Sequence, residues 1–355
     1  MSINQPVRNF ASHELEGSRG LAAGALAVVY IGVIALTASG TGAFYILFPE
    51  LGALSYDILK RPRGRWASAP VLLVITPMLT GLIGTIVTRT LPYGFTSVLT
   101  TVTASIMVIM ILRSPVAPAI SAGLLPLVLG VKSSWYPPGI VFGCVVLALI
   151  SAWWKRYTLS VIDQPEMRTG DRDESETAGE SSAVHTLAGV LIFTAIAVAA
   201  VKLTNLRFIL FPPLVVIVFE MLRDPARCPW ARTHQQLIRL PIVCGLSATG
   251  GLLFHNAIPI TPLAAMASMA WGIGVLRLSR LHVPPALAVA LLPMVMDHPQ
   301  AIYPAAVAIG ATLAAMWFAL FELCVGGRRV QPALNASGSG ANSEPGRATT
   351  QAPTA

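Results

Sequence analysis

Twelve apolar runs follow one another along the chain, at about 21–40, 43–59, 70–91, 93–112, 115–131 and 135–154, then 184–204, 208–222, 238–256, 258–276, 283–297 and 301–325. Each is bounded by proline, glycine or charge, and most approach the ~20 residues that a helix needs to cross a bilayer. Backbone in hydrocarbon must satisfy its own hydrogen bonds, so runs of this length predict helices. Only 11% of residues are charged, less than half the ~25% that keeps a soluble domain wetted. That excludes an ordinary water-soluble enzyme, and the twelve runs leave too little chain for a soluble catalytic domain beside them. The expected fold class is all-α: a polytopic membrane protein of about twelve transmembrane helices.

The second six runs repeat the first. YILFPE (45–50) returns as FILFPP (208–213) at an offset of 163, with Thr41 matching Thr204 and Asp57 matching Glu220. VAPAISAGLLPLVLG (116–130) and VPPALAVALLPMVMD (283–297) share seven of fifteen residues at an offset of 167, and Tyr136-Pro137 matches Tyr303-Pro304. Matched prolines at matched spacing predict a tandem duplication. Six spans per copy is an even number, so the copies are expected as two parallel six-helix repeats related by an axis along the membrane normal, with the fifth spans facing each other. The divisions are 1–20 as an amino-terminal segment, 21–157 as repeat one, 158–183 as linker, 184–325 as repeat two and 326–355 as tail. Linker and tail are polar or low in complexity and are expected to be disordered.

Cytoplasmic loops collect Lys and Arg. With the amino terminus inside, the outer loops hold Arg89, Lys132, Lys202 and Arg207, leaving 24 − 4 = 20 basic residues on the inner side. The expectation is a multi-pass inner-membrane protein with both termini cytoplasmic. It also accounts for the net charge of +8 without nucleic acid as a partner; the expected partners are the bilayer and a small solute.

Interrupted apolar segments at matching places in two halves point to a transport site. Proline removes a backbone donor and frees a carbonyl one turn back, which must find a partner or a ligand. Pro118 and Pro285, opening the fifth spans, are therefore expected to line a site. Glu50 lies mid-span beside Pro49 and is the expected ionisable group, since a carboxyl in hydrocarbon costs at least a few kcal/mol; Asp57 and Glu220 are expected to pair with the basic loops near them. Arg113 and Arg277, ending the fourth spans, read as a doubled pair at the inner mouth. Thr96, Thr100 and Thr103 form a polar stripe along the fourth span at i, i+4, i+7. Neither a catalytic cluster, a metal set nor a cofactor motif is recognisable, and the four cysteines form no metal or disulfide pattern.

FPELGA (48–53), the basic Pro-Trp loop from Pro62 to Pro70, Gly81 with Gly84, and LSRLHVPPALAVALLP (278–293) together resemble the HPP family of integral membrane proteins. The family motif is His-Pro-Pro followed by small residues that open a helix. Here Val283 separates His282 from Pro284-Pro285, alanines or Val289 follow, and the first copy has Pro115 in place of the histidine. The resemblance implies membership by a fused pair, a site role for His282, and an association with nitrite transport. The functional expectation is a permease for a small solute, an inorganic anion such as nitrite, with proton coupling through Glu50, and not an enzyme. The alternatives are a membrane-embedded enzyme acting on a lipid or polyprenyl substrate, or a membrane scaffold.

Overall fold

The computed structural model describes residues 5–160, 180–225, 228–231 and 233–326, with side chains described from residue 19. The chain is all-α. Twelve α-helices follow in order: α1 Gln5–Thr41, α2 Glu50–Lys60, α3 Pro70–Thr90, α4 Phe95–Ile111, α5 Ala119–Leu129, α6 Tyr136–Ser160, α7 Glu180–Thr204, α8 Pro212–Arg223, α9 His234–Ala257, α10 Thr261–Ser279, α11 Pro285–Leu291 and α12 Tyr303–Phe321. Most of the expected linker and tail lies outside the described residues. The described part of Met1–Ala315 is one compact unit; the second unit, from Met316, comprises the end of α12 and a π turn, Glu322–Gly326.

Among the described residues seven helices are long and apolar enough to cross a membrane, including the part of α1 from Arg19 to Thr41. The second runs of each half, short in the sequence, and the fifth runs are broken. Residues 42–49 and 205–211 carry only a short 3-10 turn each before α2 and α8 begin. Residues 114–118 and 281–284 precede α5 and α11 in the same way. The cause is proline, which has no N–H to give and a φ already set for a helix, so it starts helices and cannot sit inside them cheaply. Pro49 caps α2, Pro118 caps α5, Pro212 opens α8 and Pro285 opens α11.

These short helices form the core. Residues 50–59, 119–128, 212–219 and 285–292 are buried or nearly so along their whole length, as expected of helices that are apolar on every side. The long helices surround them with two-sided surfaces. In α1 Ala23, Ala27, Ile31, Ile34 and Ala38 face inward while Val29, Val33 and Leu36 stand exposed. Both faces are apolar; only an apolar solvent suits such a ring.

The prolines within α5 and after α11 have specific partners. Pro126 cannot donate to the carbonyl of Ala122, and the Tyr136 hydroxyl donates to that oxygen at 2.8 Å. Pro293, in the 3-10 turn that continues α11, leaves Val289 open, and Tyr303 donates to it at 2.7 Å. Both tyrosines are also met edge-on by a ring from the segment before a short helix, Tyr45 at 6.3 Å and Phe208 at 5.4 Å between centroids. Glycine permits the closest helix approaches. A Cβ on Gly84 would stand 1.9 Å from the Gly123 carbonyl oxygen of α5, and one on Gly251 2.1 Å from that of Ala290 in α11.

Candidate functional site

Polar ties gather the connections at two ends. At one end Arg89 donates to the Lys132 carbonyl at 2.6 and 2.8 Å, and Arg207 to the Leu127 carbonyl at 3.1 Å. At the other, the Trp66 indole donates to the Pro115 carbonyl at 2.9 Å, Arg277 to that of Gly20 at 2.6 Å and Arg239 to that of Ser279 at 3.4 Å.

Glu50 stands at the first position of α2. Its side chain is buried, the residue is 1% exposed, and neither carboxyl oxygen has a hydrogen-bond partner. The amides of Leu51 and Gly52 are taken by the carbonyls of Phe48 and Pro49 at 2.9 and 3.0 Å, which leaves Glu50's own N–H as the backbone donor nearest the carboxyl. Ser121 of α5 is buried, lies close enough to interact with the carboxyl, and likewise closes no hydrogen bond. The Tyr136 and Tyr303 hydroxyls lie within electrostatic reach. A buried carboxyl and a buried hydroxyl, both unsatisfied, are expensive to retain, and here they share one place among the short helices.

A second polar group lies toward the end that holds Trp66. The Asp57 carboxylate, near the end of α2, takes Nε2 of His282 at 2.8 Å and is paired with Arg61. The His282 and Tyr56 rings are 5.9 Å apart, and Lys60 lies over Tyr56 at 5.3 Å. Burial pushes the pKa of His282 below its usual value, with the Asp57 carboxylate opposing and Arg61 and Lys60 adding to the effect. Arg65 reaches Asp224 at 3.3 Å close by.

The other expected residues divide. Pro118 and Pro285 are buried at the starts of α5 and α11. α5 packs chiefly on α3, with α4 and α8, and α11 on α9, with α2, α10 and α8, so both helices share α8 as a neighbour. The carbonyls freed by Pro126 and Pro293 are already occupied by tyrosine hydroxyls, so these two are not open to a ligand. Arg113 and Arg277 are exposed; Arg113 (φ 47°) shares a left-handed backbone with Asn205 (φ 56°) and Arg280 (φ 50°), and Arg277 does not. The buried stripe of α4 is Ser97, Thr101 and Ser105, while Thr96 and Thr100 face outward and Thr103 is half-buried. No grouping of three His, Cys, Asp or Glu side chains suits a metal among the described residues. Sequence reasoning missed Ser121, a lone serine in an apolar run, and the pairing of Asp57 with a histidine 225 positions away.

Comparison of the chain with protein-family models, curated proteins and solved structures finds no match.

Proposed function

We propose that the chain is a membrane permease for a small solute, built as two parallel six-pass halves, with the Trp66 end and both termini in the cytoplasm. One observation carries the reading: an unpartnered carboxyl at the proline-set start of α2, among four short helices that a lipid-facing ring encloses. Broken helices at depth are where a transporter exposes polar groups without exposing backbone to lipid. An apolar core built for stability alone would not hold an unpaired acid. Duplication is supported by recurrence of detail: the Tyr136 and Tyr303 bonds, the Gly84 and Gly251 approaches, and positive φ at Gly42 and Asn205.

An inorganic anion such as nitrite, suggested by the HPP resemblance, is the first substrate to try. An anion and an ionised Glu50 repel, so a proton accompanies the anion. Proteoliposome uptake of nitrite, nitrate and chloride, with and without a pH gradient, tests this. Wild type should accumulate one of them faster with the gradient, and Glu50→Gln should keep uptake but lose the gradient's effect. A pH-driven uptake unchanged in Glu50→Gln removes the coupling role. A membrane-embedded enzyme is the second reading, favoured by the Asp57–His282 pair, which has the make-up of an acid–base couple. It requires that His282→Gln abolish turnover of a lipid or polyprenyl substrate.

A further inference from the structure

Positive charge is sparse at the end opposite Trp66, yet three of its basic side chains share one cavity. Arg89, Lys132 and Arg207 line an open space of about 320 Å³, together with Tyr93 and Leu127, and no acidic residue lines it. Arg207 also borders a neighbouring cavity of about 260 Å³, where Asp297 and His298 stand. All three are solvent-exposed, so water and salt screen much of their mutual repulsion, and an anion held among them would offset the rest.

The geometry leaves donors free. Arg207 has five N–H donors; one goes to the Leu127 carbonyl, and the guanidinium lies 4.4 Å from the Tyr93 ring centroid, which fixes its plane. Arg89 is fixed by its bonds to the Lys132 carbonyl and, at 2.7 Å, to Ser134 Oγ. Those bonds pin the loop that carries Lys132, whose ammonium makes no hydrogen bond or ion pair. The Tyr93 hydroxyl is buried beside the Arg207 guanidinium and closes no hydrogen bond with any other residue. Two oriented guanidinium groups, the Lys132 ammonium and the Tyr93 phenol form a donor set for a small planar or tetrahedral anion.

We propose that this cavity binds a compact oxyanion through Lys132, Arg207, Arg89 and the Tyr93 hydroxyl. As the outer mouth of a permease it rests on the transport reading; as a binding site it does not. Such an anion is either free in solution or the phosphate of an anionic lipid headgroup.

The test uses the full chain in nanodiscs, with calorimetric titration of nitrite, nitrate and inorganic phosphate at constant ionic strength. In phosphatidylcholine alone, wild type should bind one of these saturably. Lys132→Gln and Arg207→Gln should each weaken it by about tenfold, roughly one charge-assisted hydrogen bond. Lys202→Gln, an equal loss of charge at the same end but outside both cavities, should leave it within twofold. Lys132 makes no structural bond, so its variant keeps the test valid if Arg207→Gln fails to fold. In phosphatidylglycerol discs, retention of that lipid lost in the same two variants would identify the headgroup phosphate as the anion. No saturable response in either lipid, or one that Lys132→Gln leaves unchanged, overturns the site. Uptake by the same protein separates the two readings: binding without uptake removes the permease and leaves the site, and uptake without binding does the reverse.

Discussion

The hydroxyl of Tyr136 donates to the carbonyl oxygen of Ala122, the acceptor that Pro126 leaves without its helical partner. A proline inside a buried helix is tolerated here because an aromatic side chain from the next helix supplies the missing proton. Tyr136→Phe should therefore destabilise the protein by about 1–3 kcal/mol, the cost of a buried carbonyl left open. Pro126→Ala restores the N–H, so the double variant should recover much of that loss. Thermal unfolding of the four members of this cycle in detergent measures it, and purely additive effects would refute the pairing.

Glu50 presents the opposite situation, a polar group kept without a partner. Glu50→Leu should raise thermal stability by about 1–3 kcal/mol, since it removes an unsatisfied buried group and leaves an apolar one of similar size. Glu50→Gln should gain less, because an amide is also unsatisfied there. A Glu50→Leu protein less stable than wild type would mean that the carboxyl has a stabilising partner.

Close helix approach at Gly84 and Gly251 leads to a third expectation. Gly84→Ala and Gly251→Ala should each cost about 2 kcal/mol or more, because a methyl group would overlap the carbonyl of the facing helix. Gly274 has nothing within 4 Å of an added Cβ, so Gly274→Ala should be neutral or gain up to about 1 kcal/mol from helix propensity. Melting temperatures of the three variants decide the matter.

The pH response of the Asp57–His282 pair follows from the lowered pKa of His282. The folded state holds the proton less tightly than the unfolded chain, whose histidine titrates near ~6.5. Stability should be full above that value and fall as pH drops below it toward the folded value. His282→Gln should flatten this acid-side decline. A wild-type melting curve unchanged between pH 7 and 5, or a decline equally steep in the variant, would contradict it.

Orientation has its own test. In a chain freed of its natural cysteines, single cysteines at 132 and 298 should react with an impermeant maleimide added outside intact cells, and one at 64 should not. Labelling at 64 from outside would reverse the assignment of the two ends.

The apolar runs were legible because hydropathy alone decides whether a segment of this length can remain in lipid. What the runs could not show was where helix begins within them. YILFP and FILFP are apolar throughout, so the break before Glu50 and Pro212 is invisible to hydropathy up to that point, and the proline marks it. The Glu50–Ser121 proximity joins positions 71 apart, and which serine of an apolar helix turns inward depends on packing. In α4 the threonine periodicity was legible, but the neighbouring face, with Ser97, Thr101 and Ser105, is the one that packs inward. The pairing of Arg113 with Arg277 came from chemical type; backbone conformation groups Arg113 with Asn205 and Arg280 instead.

The short helices bear on how the molecule is made. At 11 residues, α2 extends only ~16 Å at 1.5 Å per residue, about half the hydrocarbon thickness. Its neighbour α11 begins at Pro285, so more than two hundred residues must leave the ribosome before α2 meets it. Until then its buried surface lacks its final cover. The nascent chain must wait, shielded by the insertion machinery or by α1, and settle only when the carboxyl-terminal helices arrive. A protein truncated just before α11 would thus lack one of the four short helices of its centre, and α2 would keep part of its apolar surface uncovered.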